Sequence, residues 1–271
     1  MTENRARVRH ILSLSGGKDS TALAIYLRDR IPELEYVFCD TGEELPETYE
    51  YLERVEAFLG KRITRLKANG LTFRDLLEAR RGFLPSPTAR WCTQYLKIKP
   101  FEDYVGDAPV VSYIALRADE PHRKGYISTK PNVVPRYPFI EEGIRKDDVV
   151  GILESSGLGL PAYYRWRSRS GCYFCFFQRR IEWVGLLEHH PDLFEMAASY
   201  EKENPITGER YTWNGRESLR ELAQPERIAA VRREHERRRA RHNSVCGNGS
   251  LMSLMGHDVE DDVEGCFICH L

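Results

Sequence analysis

The chain of 271 residues has no apolar run near the ~18–20 residues of a membrane-spanning helix. Its first ten residues, MTENRARVRH, lack the apolar core of a secretory signal. We therefore expect a cytoplasmic protein without a membrane partner. Neither charge is in excess, because 40 basic and 41 acidic side chains give a net charge of −1. The composition thus predicts no global attraction to nucleic acid.

A disulfide framework is not expected, because seven cysteines are an odd number in a chain without a visible signal. Five of them are instead arranged in a pattern. Cys92 follows Trp91, and two C-x-x-C pairs lie far downstream, namely Cys172/Cys175 and Cys266/Cys269. Such clustering indicates a metal or redox role.

The most informative stretch is the glycine turn SGGKDS at residues 15–20, which follows an apolar run and precedes a helical pattern. Two glycines let the backbone approach a bulky anion, and the first amides of the new helix point at it. Lysine adds a positive charge and serine hydroxyls add donors. The pattern predicts a site for nucleotide phosphates formed by Ser15, Gly16, Gly17, Lys18, Asp19 and Ser20. The alternative is a turn that only joins a strand to a helix.

The first half of the chain alternates strands and helices. Strands are predicted at 8–14, 34–39, 63–66 and 109–116, and helices at 46–59, 73–79 and 94–104. This alternation predicts an α/β fold with a doubly wound, mostly parallel sheet, whose ligands lie at the carboxyl ends of the strands. The glycine turn, Asp40 and Arg117 all lie at such ends.

Two units are predicted along the chain. Residues 1–155 form the α/β nucleotide-binding domain, and residues 156–271 form a C-terminal helical region that bears most of the cysteines. Helices are expected up to residue 242 and a loop-like tail from residue 243. No internal repeat interrupts this pattern.

The turn resembles the PP-loop of the ATP pyrophosphatase superfamily, and the wider pattern resembles its phosphoadenosine-phosphosulfate (PAPS) reductase-like branch. Four segments carry this resemblance in order: SGGKDS at 15–20, RWCTQYLKIKP at 90–100, ALRADEPHR at 115–123 and RYPFIEEGIRKDDVVGIL at 136–153. The last departs from the branch by having Gly143-Ile144 where a tryptophan is common. The resemblance implies an adenine nucleotide alpha hydrolase-like fold.

The resemblance also implies roles for single residues. Residues 15–20 would bind the phosphates of ATP with Mg²⁺, and Asp40 would lie beside the nucleotide. Lys97 and Arg117 would add positive charge near the phosphates or the substrate. Lys18, Asp19 and Arg117 are the implied catalytic residues, although each basic side chain could instead belong to an ordinary ion pair.

The cysteines are implied to bind a [4Fe–4S] cluster, with Cys92, Cys172 and Cys175 as three ligands and Cys266 or Cys269 as the fourth. The remaining cysteine of the last pair could carry a persulfide. A structural Zn²⁺ site is the main alternative, since four thiolates also suit zinc. Free buried thiols are a third. Cys39 is expected in the core of the second strand.

Two departures distinguish the chain from the sulfate-assimilation reductases. Those enzymes have adjacent cysteines where this chain has Trp91-Cys92, and their catalytic tail differs from GCFICHL. The pattern is more similar to ATP pyrophosphatases of DNA phosphorothioation and to CRISPR-associated CysH-like proteins. We therefore expect ATP-dependent adenylation coupled to sulfur transfer onto DNA or RNA, with a cysteine desulfurase or defence-complex subunits as partners. The alternatives are a reductase that releases sulfite from adenylyl sulfate or PAPS, and a non-catalytic accessory protein.

Two basic segments could contact nucleic acid. Residues 227–241 (RIAAVRREHERRRAR) are interpreted first as a solvated helix with Glu–Arg pairs, and second as a phosphate-contacting face. Residues 163–183 interleave aromatic and arginine side chains. Their aromatics are interpreted first as packing around the metal site and second as base-stacking groups.

Overall fold

The computed structural model describes residues 7–121, 123, 128, 130–203, 207–215 and 217–246, the last five as backbone only. Its centre is a parallel five-stranded sheet with the strand order β3-β2-β1-β4-β5. The strands are β1 (Arg9–Ser13), β2 (Glu35–Cys39), β3 (Ile63–Leu66), β4 (Val110–Tyr113) and β5 (Val133–Arg136). Because the order reverses between β1 and β4, a ligand crevice is expected at their carboxyl ends.

Helices connect the strands and cover both faces of the sheet. They are α1 (Lys18–Leu27), α2 (Pro46–Leu59), α3 (Phe73–Ala79), α4 (Trp91–Thr93), α5 (Lys99–Val105), α6 (Pro138–Glu141) and α7 (Lys146–Ser155). A π-helical turn, Gln94–Ile98, joins α4 to α5. One apolar layer packs α1, α2 and α7 on the sheet, and a smaller layer packs α5 on the other face.

The later part of the chain is helical, as expected. A 3₁₀ turn (Ala162–Arg165) precedes α8 (Arg180–His189), α9 (Pro191–Ser199), α10 (Leu219–Leu222) and α11 (Pro225–Cys246), and a short antiparallel pair joins β6 (Lys202–Glu203) to β7 (Arg210–Tyr211). These helices pack on an aromatic cluster that contains Phe73, Trp91, Phe174, Trp183 and Trp213.

The α/β prediction is confirmed, with local differences. Helix α1 begins at Lys18, so the second half of the SGGKDS stretch is already helical. The sequence pattern did not predict β5, the short β6–β7 pair or the extension of α11 to Cys246. The predicted tail beyond residue 246, with Cys266 and Cys269, lies outside the described residues. Within the described part of the chain, no helix is long and apolar enough to cross a membrane.

Candidate active site

The SGGKDS turn is a buried loop that is held by its own hydroxyls. The Ser15 and Ser20 side-chain oxygens lie 3.1 Å apart, and the Ser20 hydroxyl donates to the Gly17 carbonyl at 3.2 Å. Gly16 has a φ of +72°, and a Cβ there would lie 2.7 Å from the Thr48 side chain. The turn therefore needs glycine at this position, and it brings the first amides of α1 to the switch point of the sheet.

The three implied catalytic residues meet in one ion-pair chain. Lys18 Nζ lies 3.2 Å from Asp19 Oδ2, and Arg117 Nη1 lies 2.9 Å from Asp19 Oδ1. Arg117 is 1% exposed. Its guanidinium also contacts Asp119 at 3.0 Å and Glu120 at 3.4 Å. Asp19 therefore bridges the loop after β1 and the loop after β4.

Asp40 lies at the end of β2, as the sequence suggested. It accepts hydrogen bonds from the Gly42 amide at 3.0 Å and the Tyr49 hydroxyl at 2.8 Å, and it lies 3.4 Å from Lys67 Nζ. Lys97 lies in the π-helical turn. Its positive charge opposes the rise that burial causes in the pKa of Cys39, Glu44 and Cys172. The structure thus brings the Lys97 charge to the cysteine side of the site.

Sequence reasoning missed a buried polar group beside the C-x-x-C pair. Glu44 is 6% exposed; it accepts from the Thr41 hydroxyl at 2.7 Å and lies 3.1 Å from the Tyr49 hydroxyl. Burial raises the pKa of Glu44. Tyr49 has a single proton for two carboxyl groups, Asp40 and Glu44, so a protonated Glu44 satisfies the arrangement. The available signal was the acidic pair directly after a buried strand.

Cys172 is docked onto this group. Its Sγ lies 3.3 Å from Thr41 Oγ1 and 3.9 Å from Glu44 Oε1, and an isolated antiparallel bridge joins Glu44 to Cys172. Burial raises the pKa of the Cys172 thiol, Glu44 raises it further, and Lys97 acts in the opposite direction. The C-x-x-C pair is thereby fixed at the carboxyl end of β2.

The segment before Cys172 also reaches the glycine turn. The Tyr163 hydroxyl donates to the Gly16 carbonyl at 2.7 Å, and the Ser170 hydroxyl lies 3.1 Å from Ser15 Oγ. Arg167 is 1% exposed and donates to the Cys172 carbonyl at 2.7 Å. One segment therefore contacts the predicted phosphate site and carries the cysteines.

Most aromatic side chains between residues 163 and 183 are packed inside the protein. The buried ones are Tyr163, Tyr173, Phe174, Phe177 and Trp183. Phe174 lies within the aromatic cluster, with its ring centroid 4.2 Å from that of Phe73. For these side chains burial favours packing inside the protein over base stacking, while packing around a metal site stays a prediction.

The basic helix α11 is partly neutralised by glutamates. Arg238 pairs with Glu234 one turn earlier at 2.7 Å, while Arg227 pairs with Glu217 and Arg232 with Glu188. These contacts favour the interpretation as a solvated helix with Glu–Arg pairs.

The predicted metal ligands are only partly described. Cys92, Cys172 and Cys175 are half-buried thiols that are not joined in a disulfide, and the Cys175 amide donates to the Cys172 carbonyl at 3.1 Å. Thiols suit iron–sulfur clusters and zinc alike. Across the residues that the structure describes, no three His, Cys, Asp or Glu side chains are grouped as a metal site. The donor type fits, but the described donors form no assembled site, so the ligand set stays a prediction. Cys39 is a core residue, and burial raises its pKa to about 12.

Comparison with known proteins identifies the kind of domain. Residues 9–134 match the family model of the phosphoadenosine phosphosulfate reductase domain. The crystal structure of PAPS reductase from Candida auris, in a phosphate complex, has a TM-score of 0.50 and 12% identity, covering 61% of this chain and 82% of that one. That likeness shows the fold.

The chain matches less than half the length of three curated relatives. Two uncharacterized proteins of Methanocaldococcus jannaschii are each 26% identical, over 67% and 68% of this chain, which spans 45% and 40% of their lengths. Adenosine 5′-phosphosulfate reductase of Staphylococcus haemolyticus is 29% identical over 41% of this chain and 45% of its own. The resemblance to the PAPS reductase-like branch is thus confirmed. The match places a domain of the phosphoadenosine phosphosulfate reductase type at residues 9–134.

Proposed function

We propose that the chain is an ATP pyrophosphatase that adenylates an acceptor and thereby activates it for sulfur transfer. The observation that carries this proposal is the ion-pair chain of Lys18, Asp19 and Arg117 around the glycine loop, at the switch point of the sheet. The loop amides and Lys18 suit a triphosphate, which is the group that an adenylating enzyme must bind.

The proposed reaction uses this arrangement. An acceptor oxygen attacks the α-phosphorus of ATP, the bond to the bridging oxygen breaks, and pyrophosphate leaves with its electron pair. Negative charge grows on the leaving group, where Lys18 and the first amides of α1 stabilise it. Bound Mg²⁺ would supply further charge neutralisation on the phosphates, and Asp19 is the residue we assign to hold it. Arg117 fixes the Asp19 carboxylate in place.

Sulfur delivery is assigned to the cysteine side of the site. Cys92, Cys172 and Cys175, with Cys266 or Cys269, would hold a [4Fe–4S] cluster, which when bound supplies iron sites for sulfur. Thr41 and Glu44 hold Cys172 beside the end of β2, the strand end at which Asp40 also lies. By the resemblance, we propose DNA or RNA as the acceptor, in a phosphorothioation or CRISPR-associated defence system in the cytoplasm.

A reductase acting on adenylyl sulfate or PAPS is the second candidate. The matched family model and the relative from Staphylococcus haemolyticus favour it. In that reaction the nucleotide already carries the sulfur, so the loop binds it without cleaving a triphosphate.

One experiment separates the two reactions. Anaerobically purified protein is mixed with Mg²⁺, ATP and oligonucleotide acceptors, and pyrophosphate is followed. In parallel it is mixed with adenylyl sulfate and a thiol reductant, and sulfite is followed. Pyrophosphate release without sulfite supports adenylation, and sulfite alone supports the reductase. Failure of both, with nucleotide binding retained, would indicate the accessory role.

A further inference from the structure

Two adjacent tyrosines from the second half of the chain contact the glycine loop with opposite hydrogen-bonding roles. Tyr163 donates its hydroxyl proton to the carbonyl of Gly16 at 2.7 Å. The Tyr164 hydroxyl instead accepts the backbone N–H of Lys18 at 3.2 Å. The two rings are stacked, with centroids 4.9 Å apart. A single pair of rings thus contacts both a carbonyl and an amide of the loop.

The amide that Tyr164 occupies is the first of helix α1. The first amides of a helix have no partner within the helix, and they are the donors that a phosphate binds. Gly17, the residue before the helix, provides no side-chain cap. The hydroxyl oxygen of Tyr164 therefore occupies the position of an acceptor oxygen at the helix start.

Charge favours a phosphate over this phenol. Lys18 Nζ lies 5.5 Å from the Tyr164 ring centroid, so the hydroxyl sits next to a cation and a helix N-terminus. Burial raises the pKa of Tyr164, so the phenol is neutral at physiological pH. An anionic oxygen makes a stronger hydrogen bond to the same amide and also gains from the positive end of the helix.

We propose that the Tyr164 hydroxyl takes the place of a phosphate oxygen at the first amide of α1 and is displaced when the nucleotide binds. The inference rests on the proposed function, because it concerns the same phosphate site. Tyr163 has the other role, since it orders the loop through the Gly16 carbonyl whether or not nucleotide is bound.

A short hydrogen-bonded segment joins the two tyrosines to the cysteines. The amides of Trp166 and Arg167 donate to the Tyr163 carbonyl at 3.1 and 2.9 Å. Arg167 in turn holds the Gly171 and Cys172 carbonyls at 3.1 and 2.7 Å. Tyr164 lies inside this segment, between Tyr163 and Trp166, so we expect its displacement to disturb the hydrogen bonds that lead to the C-x-x-C pair. This expectation predicts a coupling between nucleotide binding and the position of Cys172.

The test is the affinity of the full chain for inorganic pyrophosphate with Mg²⁺, measured by titration calorimetry. Y164F keeps the ring and removes the competing hydroxyl, so we expect binding about threefold to tenfold tighter. Y163F is the matched control with the same chemical change at the neighbouring ring. We expect it to bind more weakly by a similar factor, because the loop carbonyl loses its donor. Weaker or unchanged binding by Y164F would overturn the proposal.

Hydrogen exchange of the peptide covering residues 163–172 tests the coupling. In the wild type, pyrophosphate should change its exchange by about twofold or more, and in Y164F the change should be smaller because the contact is already lost. An equal change of exchange in both proteins would overturn the expected coupling between Tyr164 and the cysteine-bearing segment. Turnover of ATP separates this inference from the proposed function. If Y164F binds pyrophosphate more tightly but no pyrophosphate is released from ATP, the inference stands and the proposed function is rejected.

Discussion

Gly17 is the position at which the glycine loop meets the cysteine-bearing segment, and its replacement by alanine tests that contact. A Cβ on Gly17 would lie 2.7 Å from Ser170 Oγ and 3.2 Å from Ser170 Cβ. The backbone itself permits alanine, because φ is −98° and ψ is 168°. We expect Gly17→Ala to lower the free energy of unfolding by about 1–3 kcal/mol from overpacking. Loss of the preference for glycine at the helix N-cap adds about 0.5–1 kcal/mol.

A double-mutant cycle with Ser170→Gly isolates the steric term. In the S170G background the added methyl meets no Ser170 side chain, so the N-cap cost and the contact with Ser15 Oγ at 3.3 Å should remain. The coupling energy should be about 1–3 kcal/mol. Urea denaturation measures all four proteins. Gly151→Ala in α7 is the matched control, since a Cβ there meets nothing within 4 Å, and it should stabilise by about 0.5–1 kcal/mol. A coupling energy near zero would refute the packing of the two segments.

Three further substitutions test the site and its support. Lys18→Met should lower kcat for pyrophosphate release by about 10²–10³-fold, because a preorganised donor to the leaving group is lost; unchanged turnover would contradict that role. Burial raises the pKa of Glu182, but Arg179 and the Ser168 hydroxyl lower it to a net value of about 2. Its stabilisation is therefore complete above pH 4.5 and lost as the pH falls through 2, and Glu182→Gln should cost about 3 kcal/mol at pH 7 in denaturant titrations. Burial raises the pKa of Glu43 to about 7, so the wild type should lose about 1–2 kcal/mol, discounted for solvent screening, between pH 4.5 and 7. Glu43→Gln should lack that loss, and parallel pH profiles for the two proteins would count against it.

The first half of the fold was predictable because its signals are local. Strands β1 to β4 lie in short apolar runs, and Pro46 marks the start of α2 at the residue where the helix begins. Strand β5 was missed because it carries Pro135 and a 54% exposed Val134, which are features of an edge strand. Strands of two residues each, such as β6 and β7, are too short to show an alternation of apolar and polar side chains.

The site was predictable only where its residues follow strand ends. Lys18 and Arg117 were predicted as site residues because each follows a buried strand, although 98 residues separate Arg117 from Asp19, to which it donates. Tyr164 and Ser170 gave no such signal. Their hydroxyls reach the loop across 146 and 155 residues of chain, and no local pattern marks a contact of that range.

The same contacts explain why the site spans both predicted units. Tyr163 and Ser170 hydrogen-bond to the glycine loop after β1, and Cys172 contacts Thr41 after β2. The cysteine-bearing segment therefore covers the ends of two neighbouring strands. A buried hydroxyl or thiol away from these ends would leave polar groups unpaired, at about 1–3 kcal/mol each. Polar satisfaction therefore adds to apolar packing in fixing the position of the segment. The proposed function uses such a segment, because it would place the nucleotide at one strand end and the cysteines at the next.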